Sequence, residues 1–406
     1  MKPEDIKTIL SQEIQNFIRE HENDDLKKLL LKHHKENLPL SLIAEQIKCR
    51  VKAKKKFPTF SNKLLLYEST AFEQSSSEAT AIFKKTFMSG ESIVDLTGGL
   101  GIDLLTISSE FDKVTYCELN PSLVELFKYN SLCFRKKNVN VFEGDSIEHL
   151  KNTKEVYDWI YLDPARRSED RRSVDLDYCS PNVYENLDLL KSKARKICIK
   201  VSPAFDFDEA VKRIPGLTKY IVVSVKNECK EVLLILDELS VHKTVIRQAV
   251  SLDEFGNVSF DLNDEGFSPA SRSLGKAEAN YFYEPDVAIL KADISDCLIL
   301  KHPLRFINNI SDFMISDFLV PDFPGRAFKI ESIIPFKVDS IKKHLKDNSI
   351  RKANISRRHF PLNVDEIRKK IKLAEGGDDY LFFTKDNNDH PICYFTKKVT
   401  GTLSDV

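Results

Sequence analysis

The sequence predicts an α/β chain: a mostly parallel sheet with an antiparallel last strand, between an N-terminal helical domain and a C-terminal α+β region. Three observations carry that expectation. From 91 to 239, short β-branched runs alternate with helical stretches, the pattern of strands joined by crossover helices. At the end of that region, Tyr220 to Val225 and Glu231 to Leu236 are separated by only about five residues. A parallel crossover cannot fit there, so this pair must be antiparallel. Before 88, apolar residues recur at helical spacing, as in Ile6, Ile9, Leu10, Ile14, Phe17 and Ile18.

In order, Asp24 or Asp25 can cap a second helix carrying Leu26, Leu29 and Leu30. A third ends in Lys48, Arg50, Lys52, Lys54, Lys55 and Lys56, with no acid among them. Ser75-Ser76-Ser77-Glu78 reads as the capping box of a later helix. Strands are expected at Ile93–Leu96, Val114–Cys117, Val139–Phe142, Trp159–Leu162 and Ile197–Val201. Residues 240 to about 275 read as strand and turn. The last 70 or so residues read as strand, helix, helix and a hairpin turning at Asn387-Asn388-Asp389. The expected domains are 1–88 (helical), 89–240 (the sheet), 241–330 (a connecting, ferredoxin-like α+β region) and 331–406.

Composition narrows the class. Hydrophobic residues are 42% and charged residues 30%, with 13 Gly and 16 Pro, which excludes collagen-like and mostly disordered chains. Lys and Arg number 61 against 62 acids, so bulk charge does not attract nucleic acid, although an average can hide local patches. No apolar run suits a membrane helix, and Met1 to Asp5 does not read as a signal peptide. The eight cysteines form no CxxC and the nine histidines no HxxxH. A reduced, cytoplasmic protein without a structural metal is expected.

Asp95-Leu96-Thr97-Gly98-Gly99-Leu100-Gly101 leaves a strand and enters a helix. Glycines there let the backbone turn tightly and approach a ligand. Glu118, with Leu119 beside it, ends the next strand and can accept both hydroxyls of a ribose. Asp145, next to Ser146, follows the third strand and can accept from an adenine amino group. A dinucleotide and S-adenosylmethionine both suit such a site. Asp103 would oppose a pyrophosphate at the helix start, and the antiparallel last pair is typical of methyltransferases.

Residues 75–239 therefore resemble a class I (Rossmann-like) S-adenosylmethionine-dependent methyltransferase. Asp95, Gly99 and Gly101 match that family's first motif, with Thr97 in place of its first glycine. The resemblance implies that Asp95 and the Gly98–Gly101 backbone hold the methionine part, Glu118 the ribose and Asp145 the adenine. The whole chain is similar to a bacterial group in which a THUMP-like domain follows the methyltransferase core. Tyr283-Glu284-Pro285-Asp286 and the basic C-terminal segment carry that likeness. THUMP domains proper bind RNA.

Asp163-Pro164-Ala165-Arg166-Arg167 ends the fourth strand, where strand ends face the ligand crevice. It resembles the D/N-P-P-Y/R motif of nucleic-acid methyltransferases, with Ala165 for the second proline and no aromatic after it. Uracil-C5 chemistry is rejected: it needs a nucleophilic Cys after the next strand, and Ser202-Pro203 stands there. Cys198 is expected to point into the sheet. Ribose 2′-O-methyltransferases place an Asp, a Lys and a Glu on comparable strands, as Asp163, Lys200 and Glu231 stand here, with a further upstream Lys. Lys63, Lys84 and Lys85 are candidates for it. An ordinary Lys200–Glu231 ion pair is the competing account. For N-methylation, Asp163 and the Pro164 carbonyl suffice to orient an amino group.

Arg166, Arg167, Arg171 and Arg172 crowd the following loop and could grip phosphates. Between 342 and 372 stand 11 Lys or Arg, including Arg357 and Arg358, against Asp347, Asp365 and Glu366. The expected function is methylation of RNA, on a base amino group or a ribose hydroxyl, with S-adenosylmethionine as cofactor. The alternatives are a small-molecule or protein methyltransferase, a catalytically degenerate RNA-binding module and, more distantly, an NAD-dependent oxidoreductase.

Overall fold

The computed structural model describes residues 3–136, 139–166, 176–241, 244–267, 272–274 and 279–399, with the backbone alone of Pro3 and Arg166. The chain divides into two compact units: residues 1–246 with 250–259, and residues 247–249 with 260–406.

The first unit opens with α1 (Pro3–Ile9), α2 (Gln12–Glu20), α3 (Leu26–His33), α4 (Leu40–Lys56), α5 (Ser69–Gln74) and α6 (Glu78–Lys85). Caps are written locally: Ser11 accepts from the Ile14 N–H and Asp25 from the Lys28 N–H. The Ser75–Glu78 run is no capping box. Ser77 is the cap and Glu78 the first helical residue. The Glu78 carboxylate accepts from the Thr59 and Phe60 N–H groups at 2.9 and 3.2 Å, a tertiary contact that spacing alone cannot reveal. Ile9, Ile18, Ile43, Phe57 and Phe72 build a core that continues into Leu100, Ile102 and Leu126. The expected 88/89 boundary lies within that apolar core.

The sheet follows: β1 (Gly90–Asp95), β2 (Phe111–Glu118), β3 (Val139–Glu143), β4 (Tyr157–Leu162), the short pair β5 (Ala165–Arg166) and β6 (Cys179–Ser180), β7 (Ala194–Val201), β8 (Leu217–Val225) and β9 (Glu228–Asp237). Helices α7 (Ile102–Ile107), α8 (Pro121–Cys133), α9 (Ser146–Asn152), α10 (Val183–Lys193) and α11 (Phe207–Arg213) lie between them in sequence. The spatial order is β8-β9-β7-β4-β1-β2-β3. β3, β2, β1, β4 and β7 run parallel. β9 is antiparallel to both β7 and β8, as its short connection to β8 requires. Central strands are buried on both faces: Val94, Ile160 and Ile199 are fully inaccessible, and so is Cys198, which packs in the core with Trp159 and Leu233. Each such apolar side chain contributes about 1.5–3 kcal/mol, and burial pushes the Cys198 thiol up. The sheet continues into the pair β10 (Ile246–Leu252) and β11 (Val258–Asn263), through which the division between units passes.

The second unit contains β12 (Tyr281–Pro285), β13 (Arg305–Phe306), β14 (Met314–Ser316), β15 (Gly325–Pro335), β16 (Asn354–Arg357), β17 (Asp379–Lys385) and β18 (Pro391–Lys398), in the order β13-β14-β12-β15-β18-β17-β16. Its helices are α12 (Val287–Ala292), α13 (Leu298–Lys301), α14 (Val338–Asp347) and α15 (Val364–Ile371). The expected 330/331 boundary falls inside β15. Alternation along β17 serves two cores. Leu381 and Phe383 meet Ile341, Leu345, Ile367 and Ile371 from α14 and α15, while Phe382 joins Phe282, Phe328 and Tyr394. The four-residue β16, parallel to β17, separates the two helices and carries too short a pattern to be read in advance. Asp389 turns the β17–β18 hairpin at a φ of 66°.

Candidate active site

Chain order reverses at β1, with β2 and β3 on one side and β4 and β7 on the other. In an open sheet that places a crevice at the strand ends of β1 and β4. A cavity of about 1250 Å³ opens there. Asp95, Thr97, Gly98, Gly99, Gly101, Glu118, Leu119, Asp145, Ser146, Asp163, Pro164 and Lys200 all line it. These are the residues expected to touch the cofactor, plus three of the four expected to be catalytic. Glu231 does not line it and is 3% exposed.

The glycine loop is shaped by side chains behind it. A Cβ on Gly98 would lie 2.2 Å from the Tyr116 ring, and one on Gly101 would lie 2.3 Å from Phe127. Those two rings stack with centroids 3.7 Å apart. Gly101 caps α7 at a φ of 72°, a left-handed conformation that favours glycine. The Tyr116 hydroxyl donates to the Gly99 carbonyl at 2.7 Å. Gly99 carries the φ of a left-handed residue, 54°, and a Cβ there would meet nothing closer than 3.7 Å. Its N–H donates to Glu118 Oε2 at 2.9 Å, and the Asn120 N–H donates to Oε1 at 2.8 Å. Each carboxylate oxygen keeps acceptor capacity. Asp145 also serves as the α9 cap, accepting from the Ile147 N–H at 2.8 Å.

Thr97, the departure from the glycine pattern, has a structural task. Its N–H and hydroxyl donate to Asp95 Oδ1 at 2.9 and 3.3 Å. Its hydroxyl oxygen accepts the Asp163 N–H at 2.7 Å. One side chain thus links the two motifs.

The charges beneath the cavity are paired in a way the sequence did not specify. Lys200 lies 2.6 Å from Asp163 Oδ2. Lys84 is wholly buried, 3.0 Å from Asp103 and 2.6 Å from Glu231. Of the three candidates for an upstream lysine, Lys84 is the one that meets an acid of the expected set. It reaches Glu231, whereas Lys200 meets Asp163, so the simple Lys200–Glu231 pair is not what forms. Asp103 Oδ2 also accepts from the Ser76 and Tyr161 hydroxyls, both at 2.6 Å. Burial raises the Asp103 carboxyl, but Lys84, Lys200 and these hydrogen bonds outweigh it and hold it below the usual range. Burial likewise opposes charge on Lys200, yet Asp163, Glu231 and Asp103 keep its pKa above the ordinary value. Ser76 and Tyr161 were missed by sequence reasoning. Tyr161 stands two residues before Asp163, so strand alternation was its one available signal.

Arg167, Arg171 and Arg172 lie outside the described residues, and Arg166 is placed only by its backbone in β5. Arg357 and Arg358 belong to the second unit. Arg357 donates to the Phe360 carbonyl at 3.1 Å, and the Arg358 guanidinium lies 5.5 Å from the Phe313 ring centroid. Among the described residues, Lys343, Lys346, Lys369, Lys370 and Lys372 are exposed and none has an ion pair. Also among these residues, no cluster of His, Cys, Asp or Glu could hold a metal ion, and no helix is long and apolar enough to cross a membrane. All eight cysteines are free.

Residues 325–398 match the family model described as THUMP domain-like. An uncharacterized RNA methyltransferase of Mycoplasma mobile is 34% identical over 86 residues, 21% of this chain. The chain thus spans about a quarter, 24%, of that curated relative's length. The crystal structure of a "putative methyltransferase" from Porphyromonas gingivalis W83 superimposes with a TM-score of 0.82 at 27% identity, covering 97% of this chain and 99% of that one. The resemblance drawn from the motifs is borne out: this is a chain of methyltransferase architecture with a THUMP-like domain at its C-terminus.

Proposed function

We propose that the protein is an S-adenosylmethionine-dependent methyltransferase that modifies an amino or ring nitrogen of an RNA base, in the cytoplasm. The observation that carries this is the single cavity joining the Gly98–Gly101 loop, Glu118 and Asp145 to Asp163 and Pro164. Its residues fit the cofactor: an open glycine turn, a carboxylate beside it for the ribose and an acid beyond for the adenine. When bound, the cofactor supplies an electrophilic methyl group. Asp163, still 36% exposed as a side chain, accepts a hydrogen bond from the target amino group, and the Pro164 carbonyl aligns it. The nitrogen so held would take the methyl group as its bond to sulfur broke, leaving S-adenosylhomocysteine, and the nitrogen's proton would pass to the Asp163 carboxylate.

Lys200 favours nitrogen over hydroxyl as the acceptor. A hydroxyl acceptor needs a base, and a useful lysine base has a lowered pKa. Lys200 is shifted the other way, so it steadies Asp163 as a cation. Lys84, wholly buried, cannot touch substrate at all. The RNA assignment leans on the Mycoplasma relative's description, the THUMP-like match and the lysines of α14 and α15, which have no ion pair among the described residues. Methyl transfer to RNA purified from a strain lacking the protein tests it, with Asp163→Ala as the control. Full activity in that variant would displace the site.

A further inference from the structure

Asp163 directly follows β4, and Lys200 is the last residue but one of its parallel neighbour β7. In the ladder between those strands Leu162 stands opposite Ile199, so the next residue of each emerges beside the other. Both line the cavity, with Asp163 Oδ2 and Lys200 Nζ 2.6 Å apart. Each backbone is held. The Asp163 N–H donates to the Thr97 hydroxyl at 2.7 Å, and Lys200 is paired across to Leu233 of β9. A carboxylate acceptor and an ammonium donor are thus presented side by side from the rigid end of a sheet.

That contact does not exhaust the ammonium. It offers more than one donor, and among the described residues Asp163 alone lies within ion-pairing distance of it. The other two acids nearby, Asp103 and Glu231, are taken by Lys84 at 3.0 and 2.6 Å. The Lys200 side chain is 13% exposed, so little bulk water reaches it, and a buried donor left without an acceptor is costly. Burial opposes its charge, but Asp163, Glu231 and Asp103 outweigh burial. At neutral pH Lys200 is therefore a donor and not an acceptor.

Resting on the RNA-base reading above, we infer that Lys200 sets which base is methylated: it donates to the ring nitrogen next to the target amino group while Asp163 accepts from that group. An acceptor and a donor held together read two adjacent edge atoms at once, as an amide side chain does with adenine. The edge that satisfies this pair has an amino donor beside a ring acceptor. Adenine presents it at N6 and N1, and cytosine at N4 and N3, on the edge that unpairing exposes.

Guanine sets N1–H beside its amino group on that edge, a second donor facing an ammonium. Uracil has no amino group. Discrimination is strong in such a site because the wrong edge leaves buried polar groups unpaired. The ring nitrogen engaged by Lys200 is also shielded from the methyl group. The class of substrate is thus an adenine or cytosine of RNA, methylated on its exocyclic nitrogen.

Labelled transfer by the full chain to RNA from a strain lacking the protein, followed by nucleoside analysis, tests this first. Label in N6-methyladenosine or N4-methylcytidine is expected. Label in N2-methylguanosine or in a ring-methylated base would overturn the inference and leave base methylation intact. No label in any RNA base would overturn both. The transcript that takes label is then remade with 1-deazaadenosine or 3-deazacytidine at the target, which keeps the amino group and replaces the ring nitrogen by C–H. Wild-type transfer should fall about 10–100-fold, the scale of a hydrogen bond to a charged group. Lys200→Met should act slowly on both RNAs and at equal rates, because the contact it lacks is the one the analogue removes. Equal transfer by the wild-type chain to both RNAs would overturn the inference, whether or not Lys200→Met folds.

Discussion

The cavity floor of the first unit and the basic surface of the second use charge in opposite ways. At the cavity floor, Lys84, Asp103, Glu231 and Lys200 are buried or nearly so, Asp163 is partly exposed, and their pairs meet at 2.6–3.0 Å. On α14 and α15, Lys343, Lys346, Lys369 and Lys370 are exposed and unpaired among the described residues. Buried pairs hold geometry and are little screened by salt. Exposed, unpaired lysines hold no geometry but can release counterions from a phosphate backbone. The difference teaches that a count of charges is uninformative until pairing is known. The run from Lys48 to Lys56 makes the same point. It looks as basic as 342–372, yet Arg50 donates to Gln15 at 2.9 Å, Lys54 meets Glu22 at 3.1 Å, and Lys52 pairs with Glu73. That stretch is largely a structural face.

The contrast can be broken from either side. The largest effect belongs to Lys84→Met, which leaves Asp103 and Glu231 without their shared cation. Denaturant unfolding should report a loss of about 3–5 kcal/mol. Asp163→Ala should lower the rate of methyl transfer by about 10²–10³-fold while RNA binding and its salt dependence stay unchanged. A parallel loss of RNA binding would mean that the two kinds of charge are not separate. Glu118→Ala should weaken S-adenosylmethionine binding by about 1.5–3 kcal/mol, the scale of hydrogen bonds to a charged group, as read by calorimetry. Changing Lys342, Lys343, Lys369 and Lys370 together to Ala should act on RNA alone. The slope of log affinity against log salt should fall by up to about 0.9 for each phosphate left without its lysine on duplex RNA, less on single strands. Lys54→Ala, within the paired run, should leave that slope unmoved.

Much of the sheet was legible because its signals are local. Alternation and loop length gave the parallel strands and the antiparallel β9. The Asp95–Gly101 loop, Glu118, Asp145 and Asp163 could be placed at strand ends by counting. What stayed hidden depends on contacts across the chain. Glu78 reads as part of a capping box until Thr59 and Phe60 are seen to hold it. Thr97 reads as a mere lapse from the glycine motif until its hydroxyl is found between Asp95 and Asp163. Lys84 was one of three equivalent lysines, because nothing in its neighbours in sequence announces Asp103 and Glu231. Pairing of buried charges is fixed by which strands adjoin, and sequence spacing does not carry that information.

The central claim is transfer of a methyl group from S-adenosylmethionine to a base nitrogen of RNA through Asp163. Its most direct test is labelled transfer to RNA from a strain lacking the protein, followed by nucleoside analysis. The account predicts label in an N-methylated base, absent with Asp163→Ala. Label in a ribose-methylated nucleoside, or in protein or a small molecule with none in RNA, would contradict it.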